Sequence, residues 1–311
     1  MTRLPPLQEK GTAEDVDVLT NVPDDDEKGP LGLNTLYEPR DATPIAEIVF
    51  IHGLGGGSRK TWSKSPDGRH YWPKTWLSAD PDFRDTRIHS FGYNADWGRP
   101  KQSVMNIHGF AEALLCELKN HPSIRRGTAG IILVAHSMGG CVAKKMYLLA
   151  RQDPSSAELA SRIRAMYFLA TPHRGSDLAE ALQNLLLVTL GSKPYVGDLL
   201  PNSAALAEIN DAFRHHAHDL RLWSFYETAP LRIGLMNKLI VDKFSATLGF
   251  PGEEICPMEA ADHRQVCKFD ADTDPNYKRL RNALSTSLDT IRSSSESNSI
   301  CVVCWRQYID K

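Results

Sequence analysis

The chain has 311 residues, with 36 Lys plus Arg against 38 Asp plus Glu and a formal net charge of −2. No basic surplus exists to neutralise phosphates, which excludes nucleic acid as a main partner. Hydrophobic residues at 41% and charged residues at 24% describe a chain that buries a full core, neither disordered nor fibrous.

Residues 1–30 read as a flexible acidic tail, with Glu14, Asp15, Asp17, Asp24, Asp25, Asp26 and Glu27 interrupted by prolines. Met1 to Lys10 carry prolines and charges but no apolar stretch, so no secretory signal is readable. An ordered domain is expected over 31–292, starting with an edge strand near Leu31. The run Ala46-Glu-Ile-Val-Phe-Ile-His52 predicts a buried parallel strand, and Arg87-Ile-His-Ser-Phe-Gly-Tyr93 a second. Apolar residues at helical spacing (Ile107, Phe110, Ala111, Leu114, Leu115, Leu118) predict a helix over 105–120. Gly130-Ile-Ile-Leu-Val-Ala-His136 is the strongest strand signal and runs into a helix over 139–151. Strands follow at Ile163–Ala170, Arg221–Tyr226 and Lys238–Val241. Strands alternating with helices specify an α/β fold with a parallel sheet and crossover helices. The serine-rich stretch 293–300 is expected to leave the domain, with 293–311 as a polar C-terminal tail. The longest apolar runs, such as Leu185–Leu190, fall far short of the roughly 18 residues of a spanning helix.

Cysteines stand at 116, 141, 256, 267, 301 and 304. Cys116 and Cys141 read as small buried hydrophobes. The Cys301-Val-Val-Cys304 pair offers two ligands where structural zinc needs about four, so no metal or other cofactor is expected.

The informative segment is Val134-Ala-His-Ser-Met-Gly-Gly140. A strand feeds directly into Ser137 and a helix follows, with small residues two positions either side. A nucleophile elbow demands this context, because bulk at those positions would strike the neighbouring strand and helix. Ala135 stands where the general pattern has glycine, a departure of one methyl group. The alternative for Ser137 is a helix cap on a turn that merely needs small residues. At such an elbow the Met138 amide opens the helix and points at a developing oxyanion. The second donor is expected from His52-Gly-Leu-Gly-Gly-Gly57 after the first strong strand, by the Leu54 amide. A phosphate loop is the rival for that glycine run, but the lysine and hydroxyl of G-x-x-x-x-G-K-[S/T] are missing.

The order Ser, then acid, then His selects the base. His52 and His136 come too early, and His173 precedes any acid-bearing strand. His215, His216 and His218 read as a solvated helix end, with a metal cluster as the rival. His263, the last histidine, is the expected base. For the acid, Glu227 at the end of Leu-Trp-Ser-Phe-Tyr-Glu is preferred and Asp242 is its alternative. Asp262 is adjacent to His263 in sequence, and neighbouring side chains on extended chain point apart.

These residues form a recognisable set. Ile48-Val-Phe-Ile-His-Gly-Leu-Gly-Gly56, Lys60-Thr-Trp62, Trp72-Pro73, Trp76-Leu77, Phe91-Gly-Tyr93, the Ser137 elbow, Thr171-Pro-His-Arg-Gly-Ser176, Phe225-Tyr-Glu-Thr228, Ser245-Ala246 and Asp262-His263 resemble the lipase-like α/β-hydrolases of the serine-active-site-containing protein family. The resemblance runs from about Leu31 to Arg292. It implies an α/β-hydrolase fold, a mostly parallel central sheet with helices on both faces and a small helical cap. Ser137 and His263 fall in the family's catalytic positions and Glu227 in its acid position. It also implies a lipid or ester substrate, phospholipid remodelling, and a mitochondrial or endoplasmic-reticulum setting, the cytoplasm being the alternative. Similar domains stand at the head of fungal NOD-like receptor proteins as effector modules.

The expected function is a serine hydrolase cleaving a carboxyl ester, a phospholipid acyl ester among the candidates, with peripheral rather than spanning membrane contact. The alternatives are a non-catalytic signalling module of the same fold and an acyltransferase. The leucine-rich segment 178–189 reads either as a crossover helix or as a cap over an acyl pocket, and Trp62, Trp72 and Trp76 as packing or as substrate wall.

Overall fold

The computed structural model describes residues 27–40, 42–95, 107–174, 203–233 and 236–309. The acidic residues 1–26 and the leucine-rich segment 178–189 lie outside the described residues, as do the side chains of Cys301 and Cys304.

In chain order the strands are β1 (Gly32–Tyr37), β2 (Ala46–Ile51), β3 (Thr86–Gly92), β4 (Gly130–His136), β5 (Ile163–Leu169), β6 (Arg221–Glu227), β7 (Leu231–Ile233), β8 (Met236–Lys238) and β9 (Glu254–Met258). The helices are α1 (Ile107–Asn120), α2 (Pro122–Arg126), α3 (Met138–Gln152), α4 (Ala157–Arg162), α5 (Ser203–His216) and α6 (Pro275–Ile309). Seven strands form one sheet in the order β1-β3-β2-β4-β5-β6-β9. Only β1 runs antiparallel, against β3; the other neighbours are parallel. The short β7 and β8 pair with each other alone.

Every residue of β2 is buried, as are the first six of β4, because helices cover a parallel sheet on both faces. Successive side chains point to opposite faces. Val49, Ile51, Leu133, Ala135 and Phe168 therefore meet Phe110 and Leu114 of α1, Met146 of α3 and Phe213 of α5. Ile48, Phe50, Ile132, Val134 and Tyr167 meet Leu280, Leu284 and Leu288 of α6. Trp62 and Trp72 are fully buried in this second layer. Each lies edge-on to Phe50 with centroids 5.0 Å apart. Of the two readings of these tryptophans, packing is the one realised.

Two expected features differ. The strand at Lys238–Val241 is absent: Lys238 closes the β7–β8 hairpin, and Ile240 and Val241 are buried outside any strand. The seventh strand of the sheet is instead β9, Glu254-Ile-Cys-Pro-Met258. An edge strand needs no continuous apolar run and tolerates proline, so Pro257 hid it. Cys116 is also exposed rather than buried, because it lies off the stripe of 107, 110, 111, 114 and 118 that faces the core.

The helical backbone of α6 continues through the serine-rich stretch to Ile309. Ser293 Oγ and Ser294 Oγ donate to the carbonyls of Asp289 and Thr290 one turn back, which lets serines sit inside a helix. At the other end, residues 28–30 are tied to the glycine-rich loop after β2. Arg59 N donates to Lys28 O at 2.9 Å and Ser58 Oγ to Pro30 O at 2.7 Å. Among the described residues no helix is long and apolar enough to cross a membrane.

Candidate active site

The loops that carry Ser137, Leu54 and His263 follow β4, β2 and β9, and Glu227 is the last residue of β6. All four therefore gather at the carboxyl ends of the strands, where open α/β sheets place their ligand sites. A cavity of about 380 Å³ opens there, lined by Leu54, Gly55, Ser137, His136 and His263 among others. A larger cavity of about 520 Å³ lies at the opposite strand ends, near Gly130, Arg164 and Arg221, and holds none of these groups.

Ser137 has φ 53° and ψ −130°, a left-handed backbone that is strained for any residue with a Cβ. Its neighbours hold it there. Ser137 N donates to Leu169 O at 2.8 Å, and Gly140 N to Ser137 O at 3.0 Å. Gly139 is obligatory, since a Cβ there would lie 2.5 Å from Ile51 O and against His52 O. Ala135 is buried without conflict, so the methyl that departs from the glycine pattern is accommodated.

His263 Nε2 lies 3.1 Å from Ser137 Oγ. On its other side, His263 Nδ1 is 3.7 Å from Glu227 Oε1. Both side chains are almost fully buried. Glu227 Oε1 accepts from the Val241 amide, while Glu227 Oε2 and His263 Nδ1 have no hydrogen-bond partner. The buried ring nitrogen therefore lacks a partner while a buried carboxylate stands beside it. Thr228 N and Ala229 N, just after β6, both donate to Ala261 O at 3.1 Å. That pairing draws the end of β6 against the His263 loop. Asp242 does not join them. Its carboxylate accepts from Ser245 N at 2.8 Å and Ser245 Oγ at 3.4 Å, capping its own turn. Asp262 likewise receives the amides of Arg264 and Gln265.

The expected oxyanion donors flank the serine. Met138 opens α3, so its N–H belongs to the first turn, which has no intrahelical acceptor. The turn bonds of the glycine loop run from Gly55 N to Ala95 O and from Gly56 N to Gly53 O, and bypass Leu54. Gly53 packs so closely that a Cβ would lie 2.7 Å from Ser137 Cβ.

Three further histidines order the scaffold. Tyr93 N donates to His52 Nε2 at 3.1 Å, so the His52 proton is on Nδ1, which donates to Gly53 O at 2.8 Å. Tyr93 stacks on the ring at 4.1 Å and its hydroxyl donates to His52 O. His136 Nε2 donates to His263 O at 2.9 Å. Burial, then the neighbouring His263, pushes His136 down to about 3, so it is neutral. His173 sits in the loop after β5, its Nδ1 accepting from the buried Lys144 at 2.8 Å. Burial and then Lys144 hold His173 well below the usual histidine range. His216 gives its carbonyl to Tyr147 and His218 pairs with Asp219 at 3.2 Å. Among the described residues no three His, Cys, Asp or Glu side chains converge as metal ligands. Tyr93 belongs to the Phe91-Gly-Tyr93 motif, but its hold on the His52 loop, like that of Val241 on Glu227, is visible only in three dimensions.

The PGAP1-like alpha/beta domain family matches residues 45–188, a stretch that holds β2, the glycine loop and the Ser137 elbow and ends before Glu227. Protein SERAC1 of Danio rerio is 33% identical over 77% of this chain and 39% of its own length. Protein SERAC1 of Homo sapiens is 32% identical over 74% of this chain and 37% of its own length. The chain is thus similar to the SERAC1 proteins over its α/β domain. It spans about two fifths of the length of the curated relatives it matches. A solved structure, esterase B from Lactobacillus rhamnosis, is similar at 14% identity and a TM-score of 0.48, covering 84% of this chain and 82% of that one.

Proposed function

We propose that this chain is a serine hydrolase that cleaves a carboxylic ester through an acyl-enzyme. Ser137 Oγ attacks the ester carbonyl while His263 Nε2 takes its proton, and the carbonyl oxygen becomes an oxyanion facing the Leu54 and Met138 amides. Collapse expels the alcohol, which receives the proton back from His263. Water, deprotonated by the same imidazole, then attacks the acyl-enzyme and releases the acid and Ser137. Glu227 orients the ring and stabilises the imidazolium without itself taking the proton. The single observation that supports this reading is the 3.1 Å approach of His263 Nε2 to a serine held at positive φ.

The test uses 4-nitrophenyl butyrate and a fluorophosphonate probe. Wild-type protein is expected to turn over the ester and to label at Ser137. Ser137→Ala is expected to lose roughly 10³–10⁶ of the rate and all of the label. Labelling elsewhere, or unchanged turnover in Ser137→Ala, overturns the reading.

A further inference from the structure

The cavity that holds Ser137 and His263 is also lined by Lys60, Arg264 and Lys268. Among its described lining residues there is no carboxylate. This sign asymmetry is local, because the chain as a whole is slightly acidic. Glu227 stands behind His263, buried away from the cavity, and the other nearby acids are engaged elsewhere. Asp262 is bound to its own loop amides, and Asp270 is paired with Lys64 at 2.5 Å. Lys60 meets Glu27 at 3.3 Å, a surface pair in which Glu27 is 46% exposed. Such a pair is worth little and leaves Lys60 available to a competing anion. Lys268 has no carboxylate partner among the described ion pairs. It lines the same wall of the cavity as His136 and Cys267.

The cations come from two sides. Lys60 follows the glycine loop that carries Leu54, and Lys268 follows the turn that carries His263. Both line the cavity that an ester with its carbonyl at Ser137 would occupy. A partly enclosed cleft with one sign of charge concentrates ligands of the other sign.

We propose that the pocket selects esters that carry an anionic group, a carboxylate or a phosphate, within a few atoms of the scissile carbonyl, with Lys268 and Lys60 as specificity-determining residues. The proposal rests on the hydrolase reading of the same site. The chemistry recognised is a compact anion, and it can stand on the acyl side or on the alcohol side of the ester.

The experiment compares length-matched pairs. For the acyl side these are mono-4-nitrophenyl adipate and 4-nitrophenyl hexanoate; for the alcohol side, 1-butyryl-glycerol 3-phosphate and monobutyrin. Wild-type protein is expected to prefer the anionic member of at least one pair in kcat/KM. The pair that shows it identifies the side. In Lys268→Glu the anionic-to-neutral ratio is expected to fall about fivefold to tenfold, as for a partly screened charge contact. Lys268→Arg is expected to retain the ratio, and added salt to compress it in wild type. No preference in either pair, or a ratio unmoved by Lys268→Glu and Lys60→Glu, overturns the proposal. Calorimetric binding of adipate to the Ser137→Ala variant separates this from the chemistry. Binding that Lys268→Glu weakens, with no turnover of any ester, rejects the hydrolase and keeps the anion site. Turnover of esters without charge preference rejects the anion site and keeps the hydrolase.

Discussion

Glu227 Oε1 lies 3.7 Å from His263 Nδ1 and is held in place by the amide of Val241. The carboxylate is thus fixed by a neighbouring loop, and the oxygen that the loop holds is the one that faces the ring. Closing that gap by about 0.7 Å would give the buried His263 Nδ1 its acceptor. Glu227→Gln is therefore expected to lower kcat by about 10²–10⁴ while the protein stays folded. Asp242→Asn, by contrast, touches only a turn cap. It should cost about 1 kcal/mol of stability and leave kcat within about threefold of wild type. Steady-state kinetics of the two variants on one chromogenic ester decide the matter. A larger kcat loss in Asp242→Asn than in Glu227→Gln would transfer the acid role.

The elbow makes a second expectation quantitative. A Cβ on Gly139 meets the main-chain oxygens of Ile51 and His52 at the end of β2, and backbone at a sheet centre cannot yield. Gly139→Ala is expected to destabilise the fold by about 2–3 kcal/mol, in the manner of an overpacked core, and to displace Ser137. Ala135→Gly restores the common elbow pattern but loosens β4, so it should cost about 0.5–1 kcal/mol with activity retained. Chemical denaturation of both variants, read alongside ester turnover, checks the contrast. Equal stability of Gly139→Ala and wild type would contradict the packing.

The sequence carried the central strands and the elbow plainly, because β2 and β4 are buried on both faces and must read as unbroken apolar runs. Chain order and strand ends single out Ser137 and His263 in the sequence, and the structure brings the two within 3.1 Å of each other. Glu227 was preferred and Asp242 kept as its alternative, because both follow strand-like apolar stretches. In the structure Glu227 accepts from the Val241 amide and stands 3.7 Å from His263, whereas Asp242 caps the turn at Ser245. The same Leu-Ile-Val run that suggested a strand at 238–241 is what delivers Val241 to Glu227. Strand β9 was invisible because its edge position lets Glu254, Ile255 and Pro257 replace an apolar alternation.

Near the start of the interior strand β2, Glu47 is fully buried. It accepts from Arg87 Nη1 at 2.7 Å and lies 2.9 Å from His89 Nε2. Arg87 also reaches the half-exposed Glu38 at 2.8 Å. Removing one member of a buried pair leaves the other desolvated and unpaired, which outweighs the modest net worth of the intact pair. Glu47→Ala is expected to destabilise the protein by about 3 kcal/mol. Urea unfolding should show a lower midpoint at unchanged slope. A midpoint equal to that of wild type would mean that Arg87 finds adequate compensation from Glu38.

Acid sensitivity follows from His136 and His173. Both are buried neutral in the fold: burial and His263 hold His136 at about 3, and burial with Lys144 holds His173 well below its ordinary value. In the unfolded chain each titrates near 6.5. Below that pH the unfolded state binds more protons than the folded state, so stability falls as pH falls. The slope approaches about 1.4 kcal/mol per pH unit for each histidine and ends, for His136, near its folded value. Between pH 7.5 and 5.0 this loss is separate from that of Asp67, Asp80 and Asp153, whose lowered carboxyls are lost only below the ordinary aspartate value of 3.8. The urea midpoint is therefore expected to drop across that window. His136→Gln keeps an Nε2 donor for His263 O and removes one titrating group, so its midpoint should depend less steeply on pH. Equal midpoints at pH 7.5 and 5.0 in wild type would show that neither ring is held neutral by the fold.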